Sequence, residues 1–462
     1  MKKLLALIFL CAYPAYAGTI YVSTGGAATN SGSTDTALPF ISAATVTVVG
    51  TLIQFPLGTD LSAVVPTMDA VNQSSVYLKD ATNSNQKIFW INGVNDLLDT
   101  VTVTVAPTGA AVSSATIGGQ IIWSQTIIPG ALGPSDTVLI NDDIASVAGT
   151  VMGNLPAGNF STGFVKFIGK TGTRPKIIST NTSPAVVGAD TNWFENLEII
   201  QQGASGAAII SGGNSVFKNM KVSDAGASGL IFYGQDIVIG SEFSGAGADG
   251  LWDGGTSANG RIIHSNNIHD NVRDGLRFSA NTPGVNQVEY NIFDSNGGRG
   301  IYMTTGNSGY FLVLPGLRAF NNTLFGNGDS GMESGAIGAI FTALDNISKD
   351  NGNAANEYNF KFASTSVNPI MWGSNNILNI SGGLGGGNVY QYTLDSTDKT
   401  TDPLFTDAPN GNFSLGSTSP AKAAGYPGVF LGGSTGYLDI GAVQRQEPAG
   451  GGGAFNLNLL GD

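Results

Sequence analysis

Two acids and a run of aromatic and basic residues stand at matched places in this chain. Asp249 and Asp274 each come directly before a glycine, and Arg299 comes directly before a third. Two residues beyond those glycines stand Trp252, Arg277 and Tyr302, and two beyond a fourth, Gly331, stands Glu333. Aromatic faces stack on pyranose rings, while guanidinium and carboxylate groups hold hydroxyls or uronate groups, so the set suits a polysaccharide. Carboxyls at equivalent places on adjacent strands lie about 5 Å apart, close enough for each to oppose the other's ionisation. A protonated acid beside an ionised carboxylate is what glycosidic cleavage needs, and about 5 Å suits a retaining pair.

A structural reading competes with this one. Asp-Gly is a turn dipeptide in which glycine supplies positive φ, so Asp249 and Asp274 can be turn residues alone. Asp253 should face inward by strand parity and would then need a partner. His264 and His269, the only histidines, lie across a turn with Asp270 and read first as packed or solvated side chains. Gly245 to Gly250 matches the dinucleotide pattern but runs into Leu251-Trp252, a strand, so no helix N-terminus meets a phosphate. Gly163 to Thr171 has one residue too many for a P-loop, and no Ser, Cys or Lys sits in a nucleophile elbow.

The elements that must position these residues form a repeat. Gly206, Gly229, Gly250, Gly275, Gly300 and Gly331 follow Asn196, Asn219, Ser241, Asn267, Asn291 and Asn322, at spacings of 23, 21, 25, 25 and 31 residues. That period is too short for a strand with a crossover helix and marks stacked coils of strand and turn. Leu230, Leu251, Leu276, Ile301 and Met332 then form an interior column, and the residue after each points outward. The asparagines at coil starts can ladder their amides up the stack.

Composition agrees with strands. Of 462 residues 42% are hydrophobic, in short runs rich in Val, Ile and Phe, and only 11% are charged. The 66 glycines keep no G-x-y register, which excludes collagen. A formal charge of −13 argues against nucleic acid as a partner. Lys2 and Lys3, the apolar run Leu4 to Ala12 and Ala15-Tyr16-Ala17 read as a secretory leader cleaved before Gly18. Its removal takes away Cys11, the one cysteine, so no disulfide is expected. No later apolar run reaches membrane-spanning length. The expected location is secreted: extracellular, cell-surface or virion-associated.

The chain divides into a leader (1–17), a strand and cap loop (18–39), an antiparallel β module (40–128), a coiled region with its cap (129–446) and a Gly-rich tail (447–462). Asn92-Gly93 reads as a hairpin tip in the module. Alternating Phe455, Leu457 and Leu459 in the tail can pair with an exposed strand edge, in the same chain, a protein partner or a second copy.

Asp136 to Val443 resembles the secreted right-handed parallel β-helix proteins of the pectate-lyase-like superfamily. The most specific residues close the helix: Asp402 to Phe405, Gly411 to Leu415, Ser419-Pro420-Ala421, Ala424-Gly425 and Asp439 to Ala442. The opening strand Ile20 to Ser23 is also similar, while the module of 40–128 departs from the pattern. The resemblance implies an all-β fold, a right-handed parallel β-helix solenoid. It also implies polysaccharide lyases, glycoside hydrolases, epimerases or phage tailspikes as relatives. Family lyases use Ca²⁺ held by carboxylates with an Arg or Lys base, and Asp249, Asp253 and Asp274 with Arg277 or Arg299 would be that set. Hard Ca²⁺ wants six or more oxygens, so the residues leave both chemistries open.

The expected function is polysaccharide engagement on the lateral face from Asp249 to Glu333. Asp249 and Asp274 would be catalytic, and Trp252, Arg277, Arg299, Tyr302 and Glu333 would bind substrate. The rival is a non-catalytic surface or virion fibre in which the solenoid is a rigid spacer.

Overall fold

The computed structural model describes residues 18–444 except 28, 38, 67–72, 81–86, 108–111, 123–131, 147–149, 154, 255–259, 280–283, 305–314, 336–339, 353, 355–356, 363–369, 381–386 and 427–437. The expected leader and the tail with Phe455, Leu457 and Leu459 lie outside the described residues. The chain forms two compact units, one of described residues up to 203 with 209–221, the other of 204–208 and everything from 222 on.

In the first unit, parallel strands Thr19–Val22, Thr137–Ile140, Val165–Gly169, Asn192–Glu195 and Val216–Lys218 pair in sequence as the edge of a β-solenoid. Within Val165–Gly169, Val165 and Phe167 are buried while Lys166 and Ile168 are half-exposed. Parallel in-register pairing places like residues over one another. Phe167, Phe194 and Phe217 accordingly stack inside with ring centroids 5.3 Å apart at each step. After the first strand the chain enters a closed six-stranded antiparallel barrel, in the order Ile41–Val49, Leu52–Gln54, Thr100–Val103, Lys87–Asn95, Ser75–Asp80, Val112–Ile117. Closure leaves no free edge, and Val46, Ile53, Val76, Ile91, Val101 and Ile117 fill the interior. The chain rejoins the solenoid at Ile121, which bridges Val22. Asn92-Gly93 is not a hairpin tip: it lies inside Lys87–Asn95, where the register shifts between Ile91 and Gly93 as a bulge.

The second unit is built of three parallel ladders. The first holds Ile237–Ile239, Ile262–His264, Gly284–Glu289, Pro315–Phe320, Ile340–Leu344 and Ile370–Ser374, and the second begins Glu242–Ser244, Asn267–His269, Ile292–Asp294. The third holds Leu230–Phe232, Leu251–Asp253, Leu276–Phe278, Ile301–Met303, Met332–Ser334, Tyr358–Phe362 and Gly387–Tyr390. Leu230, Leu251, Leu276, Ile301 and Met332 are all fully buried, forming the interior column.

One left-handed residue makes each bend between the first and second ladders: Ser265, Tyr290, Asn321, Asp345 and Asn375 all have positive φ. The following residue turns inward, and there Asn266, Asn291, Asn322, Asn346 and Asn376 are buried. Asn266 donates its backbone N–H and its Nδ2 to Asn291 Oδ1, at 2.9 and 3.0 Å, and the step repeats from Asn291 to Asn322. A second ladder runs Asn271, Asn296, Asn327, Asn351 at the next bend. Each amide satisfies backbone groups the bend would otherwise orphan. Asn267, expected in this role, is exposed, and Asn266 makes the ladder.

The far end is closed by Phe405–Asp407 and Asn412–Leu415, an antiparallel pair. Leu415, Ala421 and Ile440 pack on Ile347 and Ile377. No described helix is long and apolar enough to cross a membrane.

Candidate functional site

The third ladder sets the candidate residues in one column. Ile231, Trp252, Arg277, Tyr302, Glu333, Lys361 and Tyr390 are successive register partners. Each follows an inward residue of its strand and so faces outward. At about 4.8 Å per strand, Trp252 to Tyr390 spans about 24 Å. Trp252 is 36% exposed and Tyr390 42%, so an open aromatic ring marks each end. Between them the Arg277 and Arg299 side chains are about one-quarter exposed.

Glu333 lies in the column but is covered. Arg299 Nε donates to its Oε2 at 3.0 Å, and Lys361 Nζ stands 3.5 Å from the same oxygen. Arg299 also meets Asp329 at 3.0 Å and lies over the Tyr302 ring at 4.1 Å. This network pins Arg299 and Tyr302 into fixed positions, the preorganisation a binding face needs. Arg277 is less committed: its closest carboxylate is Asp249 at 3.9 Å, and its buried Nε has no hydrogen-bond partner among the described residues.

Asp249 and Asp274 sit at the entry to the ladder, each 2% exposed. Asp249 Oδ1 accepts the backbone N–H of Asp274 at 3.2 Å, and Asp274 Oδ1 accepts that of Arg299 at 2.9 Å. An asparagine of the ladders also accepts a backbone N–H on its Oδ1, but from the preceding coil, whereas each aspartate accepts from the following one. Burial pushes the Asp274 carboxyl up to about 6, opposed by the Arg299 amide and guanidinium and assisted by Asp249. Burial likewise raises Asp249, against Arg273 and the Asp274 amide. Desolvation therefore leads, and the like-charge repulsion expected from the sequence is a lesser cause.

The positive φ expected of the Asp-Gly turns is absent: neither the aspartates nor Gly250, Gly275 and Gly300 are left-handed. Those glycines are required by contact. A Cβ on Gly250 would stand 2.8 Å from both Asn271 Nδ2 and the Gly275 carbonyl oxygen, and one on Gly275 2.9 Å from Asn296 Nδ2. The coils close on the Cα itself.

Asp253 faces inward, as parity requires, and its partner is Arg261: Nη2 to Oδ1 is 2.8 Å, with both side chains fully buried. Asp253 is thus committed to Arg261, and it does not converge with Asp249 and Asp274 as the carboxylate set suggested for Ca²⁺ would require. No group of three or more His, Cys, Asp or Glu converges among the described residues. His264 packs against Tyr290 with the rings tilted at 49°, and burial lowers its pKa. His269 pairs with Asp270 at 2.7 Å on the second ladder, away from the column.

Lys361 and Tyr390 were not found in the sequence, because their coils lack the marker glycine: Asn359 takes its place before Phe360. Reading the apolar residue rather than the glycine would have found Lys361. A cavity of about 910 Å³ lies on the first ladder instead, lined by Thr342, Trp372, Ser374, Gln391, Tyr392 and Asp395. It has the volume of a ligand site but is not formed by the charged column.

A sequence profile described as "Right handed beta helix region" matches residues 176–314. The solved pectate lyase Pel9A superposes with a TM-score of 0.54 at 15% identity, covering 71% of this chain and 92% of that one. The chain folds as a right-handed parallel β-helix, a fold it shares with that lyase. The periplasmic alginate epimerase AlgG aligns at 13% identity and a TM-score of 0.30, over 59% of the β-helix protein's chain and 77% of its own. A GH87 alpha-1,3-glucanase from Streptomyces thermodiastaticus aligns at 12% and 0.30, over 78% and 86%. No curated protein matches the sequence.

Proposed function

We propose that this β-helix is an exported protein that binds a polysaccharide lengthwise on its third ladder and cleaves it, with Asp274 as the acid and Asp249 as base or nucleophile. The observation that carries the reading is the in-register column from Trp252 to Tyr390, which offers two open aromatic faces about 24 Å apart with Arg277 between them. A shared fold with a pectate lyase supports the substrate class.

One observation favours a second reading, in which the same face binds without cleaving. The Oδ1 atoms of Asp249 and Asp274 hold backbone amides, a structural task asparagine performs elsewhere in the stack. Binding is common to both readings and is tested first. Trp252→Ala removes one stacking platform, so affinity for the recognised glycan in affinity electrophoresis should fall about tenfold. The melting temperature should hold, because the ring is partly exposed and lies outside the core. Unchanged affinity would remove the third ladder as the binding face.

A further inference from the structure

We infer that hydrolysis of the Ala17–Gly18 bond is a maturation step of the fold itself: the new Gly18 α-ammonium forms a buried ion pair with Asp136 that fastens the barrel to the first coil. Pairing of Thr19 with Thr137 places Gly18 opposite Asp136. The Gly18 N–H donates to Asp136 Oδ1 at 2.9 Å. Asp136 Oδ2 accepts from the Gly133 N–H at 2.8 Å and from Trp90 Nε1, on the barrel strand Lys87–Asn95, at 3.1 Å.

Asp136 is 5% exposed, and its three donors are all neutral while Gly18 is still an amide. No Lys, Arg or His lies within ion-pair distance of it among the described residues. A buried carboxylate without a cation is costly, and burial accordingly raises this carboxyl. An α-amine, with an ordinary pKa near 8, is protonated at neutral pH and supplies the missing charge.

Two independent features converge on this bond. Ala15-Tyr16-Ala17 ends the leader there by its small-x-small pattern. Gly18 is buried, and a Cβ on it would collide with the Trp90 indole, so the terminus seats only as glycine. In the step, water adds across the amide under a leader-removing endopeptidase. The water oxygen goes to the Ala17 carbonyl carbon, which departs with the leader as a carboxylate, and both hydrogens of the water end on Gly18 as its ammonium.

The full-length chain is exported and its N-terminal residue determined. Thermal unfolding at pH 7 then compares the Gly18-starting protein with one retaining Tyr16-Ala17, each with Asp136 and with Asp136→Asn. The expected terminus is Gly18, the Gly18-starting form melts several degrees higher, and the gap vanishes when both chains carry Asp136→Asn. If the Asp136→Asn chains do not fold, Gly18→Ala replaces them, and it should lose the advantage because the terminus no longer fits beside Trp90. A terminus elsewhere, equal melting of the two wild-type forms, or a gap that survives the substitution overturns the inference.

Discussion

Asp274→Asn is expected to reduce polysaccharide cleavage by about 10²–10⁴-fold while leaving the melting temperature at about pH 4, where Asp274 is protonated, within about 2 °C, an effect below roughly 1 kcal/mol. Asparagine keeps the oxygen that accepts the Arg299 N–H, and Asp274 Oδ2 makes no hydrogen bond among the described residues, so the bend is preserved. What is lost is the acid. With the carboxyl pushed up to about 6, Asp274 is protonated below that pH, so cleavage should fade as pH rises through about 6. Stability has a matching sign. The folded pKa lies above the unfolded value near 3.9, so the native state holds the extra proton and wild type loses stability as pH rises from about 4 through 6. The variant should lack that slope. Turnover surviving in Asp274→Asn would leave the non-cleaving reading for the Asp ladder.

Arg261→Ala should destabilise the β-helix by about 3–5 kcal/mol, read as a lower midpoint in chemical denaturation. Its guanidinium is the cation at 2.8 Å from Asp253, fully buried, and it also acts on buried Asp236. Removing it strands carboxylate charge in the solenoid interior. Pairing Arg261→Ala with Asp253→Ala should recover part of the loss, because one of the two buried carboxyls left without the guanidinium is removed with it, Asp236 remaining. A loss under about 1 kcal/mol for Arg261→Ala alone would mean that the pair is not desolvated as the structure shows.

Much of this was legible because the solenoid converts two periods into positions. The period of two within a strand put Leu251 and Leu276 inside and Trp252 and Arg277 outside, and the coil period put each above the next. Where adjacent residues share a type, neither period separates them. Asn266 and Asn267 are adjacent, and only the left-handed Ser265 decides which turns inward. The Asp-Gly pairs were assigned turn chemistry for lack of any sign that a neighbouring coil presses on the glycine. Parity placed Asp253 inside but could not supply Arg261, eight residues on. The leading cause of the Asp274 shift is depth, which a repeat pattern does not report.

The most direct measurement is a crystal structure of the Asp274→Asn protein with an oligosaccharide of the glycan it binds. The predicted result is a sugar chain along the third ladder, with rings over Trp252 and Tyr390, Arg277 on a ring substituent and the Asp274 position beside a glycosidic oxygen. A chain seated in the Trp372 cavity, with the column from Trp252 to Tyr390 empty, would contradict the account.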